Sequence, residues 1–205
     1  MWKQVLVISA HSDDGIVGAG GTIIKLLEGG VKVAYLYFVL PPISMNEPAA
    51  QQETDDSLSA LGLSNVIHYK FDNYANRTLH EHRQEVLDEL VWVYRQLRPD
   101  LVFTPSGSDT HQDHAVVAIE TFRACKKSTM LGYDFHWNMP DSHLSCYISL
   151  QQKHVDKKIA AIQMHSSQLF RPQLTKESIT ALAAVRGIAI GEPFAEAFEV
   201  IRWVW

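Results

Sequence analysis

Short apolar runs alternate with amphipathic segments along most of the chain. Val5-Leu6-Val7-Ile8, the stretch from Val31 to Val39 and Leu101-Val102-Phe103-Thr104 are continuous and rich in β-branched or aromatic residues, as strands covered on both faces are. The pattern predicts strands over 3–9, 31–39, 65–70 and 101–104, and helices over 19–29, 50–61, 79–97 and 114–125. The region from about 130 to 150 is less clear, with a strand expected from Cys146 to Leu150. A helix over 154–165, another within 175–188 and a final strand over 196–204 complete the expectation. Strands that alternate with helices imply crossover connections, hence an α/β fold with a mainly parallel sheet flanked by helices.

Two of these strands end in groups that carry chemistry. Val5-Leu6-Val7-Ile8 runs into Ala10-His11-Ser12-Asp13-Asp14, which sets an imidazole and two carboxylates at a strand's carboxyl end, the usual crevice for chemistry in α/β folds. Taken alone, such a cluster fits a solvated turn as well as a metal site. The second cluster changes that balance. Asp109-Thr110-His111-Gln112-Asp113-His114 follows Leu101-Val102-Phe103-Thr104, and His111 and His114 have the spacing of residues on one helix face. Histidine and aspartate from two strand ends form a three-ligand set of nitrogen and oxygen donors, which suits a catalytic zinc site with a position left for water.

Other signatures are absent or incomplete. Cys125 and Cys146 form no C-x-x-C pair and read as two free thiols, so a closed thiolate site is not expected. His80-Glu81-His82 has the wrong spacing for H-E-x-x-H, and no G-x-S-x-G elbow occurs. The run from Gly15 to Gly21 matches neither G-x-G-x-x-G nor a Walker loop, which counts against a nucleotide-binding protein. Its glycines are expected to turn the loop tightly and bring the following helix close to the sheet.

With both clusters in view, the chain resembles the PIG-L/LmbE-like family of zinc-dependent N-deacetylases. The resemblance rests on Ala10-His11-Ser12-Asp13-Asp14 with Gly18-Ala19-Gly20-Gly21-Thr22-Ile23, and on His111-Gln112-Asp113-His114. It extends through Arg98-Pro99-Asp100-Leu101-Val102, Lys158-Ile159-Ala160-Ala161, His165-Ser166-Ser167-Gln168 and Ala195-Glu196-Ala197-Phe198, and so spans nearly the whole chain. Ser12 and Gln112 stand where the family motifs carry proline, and no acidic residue follows Asp14 at positions 15 to 17. The resemblance implies a Rossmann-like three-layer sandwich. It also implies His11, Asp14 and His114 as ligands of Zn2+ or another divalent metal, and Asp13 as general base toward zinc-bound water. His111, if protonated, would stabilise the oxyanion, with Asp113 to orient and charge it. The implied activity is removal of an N-acetyl or other N-acyl group from an amino sugar or its conjugate. An amidase acting on a different acyl amine fits the same site, and a catalytically inactive metal- or sugar-binding module is the alternative.

Substrate contacts are less defined. Arg77 lies in the polar loop Asn73-Tyr74-Ala75-Asn76-Arg77 and could bind hydroxyl or phosphate groups, a solvated surface arginine being the plainer reading. His136 and Trp137 offer a stacking face for a sugar ring, or core packing. His80 and His82 read as solvated, and His165 and Gln168 carry no assigned role. The proline-rich segment from Pro41 to Pro48 follows the second strand on the same side of the sheet as His11, as a pocket loop or a plain connection. Trp203-Val204-Trp205 reads as a strand end packed on a core or a subunit interface.

Composition narrows the setting. The chain has 205 residues, a formal net charge of −5 and two cysteines, which suits one domain over 1–205 with no disulfide framework. The acidic balance gives no sign of nucleic-acid binding. The first apolar run is too short for a membrane span and is not a signal peptide, so a cytoplasmic location is expected. The expected partner is a small N-acetylated sugar conjugate, with a homo-oligomer left open.

Overall fold

Val5, Leu6, Val7 and Ile8 are all fully buried, because helices cover both faces of the strand they form. In the computed structural model, which describes residues 2–40, 47–63, 68–70, 77–139, 141 and 143–205, that strand is β1 (Gln4–His11). The chain continues through α1 (Asp14–Glu28), β2 (Lys32–Val39), α2 (Glu47–Leu61), β3 (His68–Lys70), α3 (Arg83–Leu97), β4 (Leu101–Pro105) and α4 (Gln112–Ala124). It closes with β5 (Thr129–Tyr133), β6 (Leu144–Leu150), α5 (Gln152–Gln163), α6 (Lys176–Ile188) and β7 (Phe194–Arg202). Among the described residues the sheet runs β3-β2-β1-β4-β5-β7-β6. Its first five strands pair in parallel, while β7 is antiparallel to both β5 and β6. The expected α/β fold with a mainly parallel sheet is what forms.

Strand alternation divides the interior into two layers. Val5, Val7, Tyr35 and Phe103 face one way and pack with Ile16 and Ile23 of α1, Leu58 of α2, Ile159 of α5 and Ile179 of α6. Leu6, Ile8, Leu36 and Val102 face the other way, onto Val86, Leu90 and Val93 of α3 and Val116 and Val117 of α4. Sheet and helices thus make three layers.

The differences from the sequence expectation have local causes. Helix α1 begins at Asp14 rather than near residue 19, so the glycine-rich run lies inside the helix and not in a loop. Close packing explains the glycines. A Cβ on Gly18 would stand 2.5 Å from Tyr133 Cδ2, and one on Gly21 would stand 2.5 Å from Leu150 Cδ1. Strand β5 lies in the stretch that carried no clear pattern; it has a glycine at its centre, where a Cβ on Gly132 would meet the Ser106 backbone at 2.9 Å. A 3-10 turn over Leu79–His82 precedes α3, which starts four residues later than expected. Strand β7 ends at Arg202, and Trp203 and Trp205 are exposed, with Trp2 against Trp203 edge-on at 5.9 Å, so this end does not pack a core. Residues 65–67 of the expected third strand and residues 41–46 of the proline-rich loop lie outside the described residues. No helix among the described residues is long and apolar enough to cross a membrane.

Gly18→Ala tests the packing of α1 on the sheet. Helix propensity favours alanine by about 1 kcal/mol, but the new methyl meets the root of the Tyr133 ring, which cannot swing aside, and overpacking of this kind costs about 1–3 kcal/mol. A net loss of up to about 2 kcal/mol is expected in denaturant unfolding; a raised midpoint would show that α1 is free to move off Tyr133.

Candidate metal centre and pocket

The two polar clusters meet because their strands are neighbours. β1 and β4 are parallel, with Val5 opposite Leu101 and Val7 opposite Phe103, so both end at the same sheet edge. From β1 the chain moves outward through β2 to β3, then returns to place β4 on the other side of β1. Such a reversal opens a crevice beyond the strands' carboxyl ends, where α/β sheets bind ligands.

His11, Asp14 and His114 converge in that crevice and are buried. His114 Nε2 lies 3.2 Å from Asp14 Oδ1 and 3.3 Å from His11 Nδ1, and His11 Nδ1 lies 3.4 Å from Asp14 Oδ2. A tetrahedral zinc ion with bonds of about 2.0–2.1 Å sets its ligand atoms about 3.3 Å apart; the two imidazole nitrogens have that spacing, and Asp14 turns one oxygen to each of them at a similar distance. Asp14 Oδ2 accepts the His11 backbone N–H at 2.7 Å, which fixes the carboxylate and turns Oδ1 toward His114. His11, His111 and Asp113 form a second cluster within metal-binding distance. Its donors are already engaged: Asp113 accepts the backbone N–H groups of Arg77 at 2.7 Å and Leu79 at 3.3 Å, and His111 Nδ1 accepts the Asp113 N–H at 3.2 Å. The first group is therefore the one that could hold a divalent ion.

Each imidazole of that group is held at its other nitrogen by a carboxylate. His114 Nδ1 pairs with Asp109 Oδ2 at 2.7 Å, and His11 Nε2 with Asp113 Oδ2 at 3.2 Å. Carboxylates placed this way fix the tautomer and ring angle of metal-ligating histidines and raise their basicity. Asp113 thus departs from its expected contact: its carboxylate turns to His11 and not to His111. The cause is the start of α4, where His111 is the N-cap and its Nδ1 takes a backbone N–H, leaving Asp113 free to reach across to β1. Asp109 is a functional candidate that spacing did not reveal; its signal was a carboxylate two residues before His111.

The charges follow from this geometry. Burial alone would lower His11 and His114, but Asp14 and the hydrogen-bonded carboxylates outweigh it and lift them to about 9 and about 10. Burial pushes Asp14 upward, yet the charges of His114 and His11 hold it well below the usual carboxylate range. His111 moves the other way, to about 4, through burial and the charges of His114 and His11. It is neutral near pH 7, so the condition attached to its expected role, a protonated ring, is not met there. Because Nδ1 accepts a backbone N–H, its own proton sits on Nε2.

A pocket of about 260 Å³ opens over the triad, lined by Asp13, His111 and Arg77 together with Phe135, Trp137, Asn138, Gln168, Arg171 and Gln173. Asp13 is buried, and its carboxylate has no hydrogen-bond partner among the described residues. Arg77 holds a left-handed backbone at φ 66°, fixed by its N–H on Asp113 and by Gln112 Nε2 donating to its carbonyl. Trp137 joins the pocket wall against Phe135, whereas His136, His80 and His82 do not line it. Gln168 carried a motif signal; Arg171 and Gln173 carried none.

An α/β sheet thus carries at its switch point a buried His–Asp–His donor set that could hold a divalent ion, beside a carboxylate with no hydrogen-bond partner among the described residues. The chain belongs to the PIG-L family, whose model, described as GlcNAc-PI de-N-acetylase, matches residues 6–125. An uncharacterised deacetylase, YaiS, from Escherichia coli K12 is 26% identical over 80% of this chain and 91% of its own length. Diacetylchitobiose deacetylase of Thermococcus kodakarensis is 25% identical over 99% of this chain and 85% of that protein. Among solved structures, the Pyrococcus horikoshii N,N'-diacetylchitobiose deacetylase superposes with a TM-score of 0.80 at 23% identity, over 98% of this chain and 84% of that one. The 4-carboxy-2-hydroxymuconate hydratase GalB of Pseudomonas putida KT2440 superposes at 0.76 and 21% identity, over 99% and 98%, so the fold also hosts other chemistry.

Two measurements test the site. A divalent ion must find both imidazoles neutral, and in the free protein they keep their protons up to about pH 9 and 10. Zinc affinity should therefore rise with pH below that range, by up to about 100-fold per unit while two protons are displaced. Calorimetry in buffers of different ionisation enthalpy counts those protons, and a pH-independent affinity would contradict the site. Asp109→Ala should weaken zinc binding about 10–100-fold, whereas an unchanged affinity would show that His114 needs no partner at Nδ1.

Proposed function

We propose that this protein is a metal-dependent amide hydrolase that removes an N-acetyl, or other N-acyl, group from an amino sugar or amino-sugar conjugate. The observation that carries this reading is the free carboxylate of Asp13 beside the His11–Asp14–His114 triad, both opening into one pocket. Family membership supports the amide as the bond attacked, and the diacetylchitobiose deacetylases support an N-acetylated sugar as the substrate class.

His11, Asp14 and His114 are the residues that would hold the ion. When bound, zinc or a similar divalent metal polarises an amide carbonyl and lowers the pKa of water at the site toward about 7. Asp13, adjacent to a ligand and with both oxygens unpaired, takes the proton of the attacking water and returns it to the leaving amine nitrogen. His111 donates its Nε2 proton toward the carbonyl oxygen as negative charge develops there, in its neutral form. Asp113 acts on the reaction through His11, whose ring angle it sets. Phe135 and Trp137 give an apolar wall for a sugar face, and the Arg77 guanidinium stands where hydroxyl or phosphate groups of a conjugate would lie.

The test is an amine-release assay on N-acetylglucosamine and N,N'-diacetylchitobiose with the zinc-loaded protein. Asp13→Asn should retain zinc and lose about 10²–10⁴-fold in kcat, and wild type should release stoichiometric amine and acetate. A wild type that binds zinc but frees no amine from any N-acyl sugar would replace this reading with that of a metal- or sugar-binding module; full activity in Asp13→Asn would remove Asp13 as the base.

A further inference from the structure

Two adjacent residues of α2, Glu53 and Thr54, bond to two chain segments that each carry a pocket-lining residue, Gln168 and Asp13. Thr54 Oγ1 donates to the Ala50 carbonyl at 3.0 Å, which uses its only proton, so in its 2.8 Å contact with Ser12 Oγ it is the acceptor and Ser12 donates. Both side chains are fully buried. Ser12 is also tied through its backbone, its N–H going to Val39 O at 3.1 Å and its carbonyl accepting from Tyr35 Oη at 2.9 Å. One residue on stands Asp13, with no side-chain partner of its own among the described residues. Ser12 and its neighbours therefore hold the backbone from which the Asp13 side chain projects.

Glu53 holds the second segment. Its carboxylate accepts from Ser166 Oγ, from the Ser167 N–H at 3.1 Å and from Ser167 Oγ at 2.7 Å, three donors from one short turn. That turn carries Gln168 into the pocket lining. It also carries His165, which is 1% exposed and has no hydrogen-bond partner on either ring nitrogen. A buried imidazole without a partner costs free energy, so its ring does not fix the turn. The Glu53 clamp does.

We infer that Glu53 and Thr54 are positioning residues, a bridge on α2 that fixes the spacing between the Asp13 segment and the His165–Gln168 turn. The inference rests on Asp13 serving as the base in the proposed reaction. The Ser12 half of the bridge belongs to this chain rather than to the motif it resembles, because a proline at position 12 has neither the N–H nor the hydroxyl. A displacement of about 1 Å in a reacting group can cost about 100-fold in rate, so loss of one hydrogen bond behind Asp13 should register in kcat.

The test combines exchange and kinetics on the zinc-loaded full chain. In hydrogen–deuterium exchange, Thr54→Val should speed the amides of residues 11–15 several-fold and Glu53→Gln those of 165–169, with the rest of the protein unchanged. Unaltered exchange in these segments overturns the bridge, whether or not a substrate is turned over. In amine release from N,N'-diacetylchitobiose, Ser12→Ala and Thr54→Val should each lower kcat about tenfold with KM and zinc content unchanged. Thr54→Ser should restore wild-type kcat, and the Ser12→Ala/Thr54→Val double variant should fall no further than either single one. Glu53→Gln and Ser167→Ala should instead raise KM, through the wall that carries Gln168. Multiplicative losses in the double variant, or losses that track zinc content, overturn the positioning role. A wild type that releases no amine overturns the deacetylase reading alone, and the exchange result then decides the bridge by itself.

Discussion

The imidazoles of His11 and His114 are held at both nitrogens, inward toward Asp14 and outward by a carboxylate, and the rest of the site depends on that restraint. A histidine at a strand end rotates freely about its side-chain bonds unless its second nitrogen is fixed. Asp113 and Asp109 supply the fixing groups, and both sit at the start of α4 or just before it. A single connection, from β4 into α4, therefore brings His114, its carboxylate partner Asp109 and the carboxylate partner of His11 on β1. Strand order makes this possible, since only a neighbour of β1 at the switch point delivers those groups within reach of His11.

The same restraint assigns different work to chemically similar side chains. Asp14 is pinned by the His11 backbone and by two imidazoles, while Asp13, next in the chain, keeps its oxygens free for a proton. His114 is lifted to about 10 by its carboxylates, whereas His111, with a ring-to-ring distance of 4.5 Å, is lowered to about 4 because burial and its cationic neighbours outweigh the charges of Asp14 and Asp113. Pairs of like groups driven apart by their surroundings are what acid–base chemistry at neutral pH requires. Neutral His111 has a defined tautomer, with its proton on Nε2, set by the same backbone N–H that begins α4.

Much of this was legible in the sequence. Apolar runs ending in His and Asp marked the strand ends and the three residues that converge there, because period and residue type are local properties. What escaped was decided by contacts between distant segments. The partner of Asp113 lies 102 residues away, and no spacing reveals that a helix start turns its carboxylate toward β1. Gly15 to Gly21 suggested a loop on propensity, yet Tyr133 and Leu150 pack so closely on α1 that glycine is the residue the helix needs there. β5 was obscured by Gly132, whose missing side chain admits the Ser106 backbone. Arg171 and Gln173 reach the pocket through the turns that follow α5, where no periodic pattern exists to read.

The central claim is that His11, Asp14 and His114 form one ion site from two strand ends. X-ray absorption at the zinc edge, on protein loaded with one zinc per chain, measures this most directly. The account predicts two imidazole nitrogens and carboxylate oxygen at about 2.0–2.1 Å, with one imidazole lost in His11→Ala and one in His114→Ala, and no change in His111→Ala. A spectrum with fewer than two imidazoles, with sulfur, or altered by His111→Ala and not by His114→Ala would contradict it.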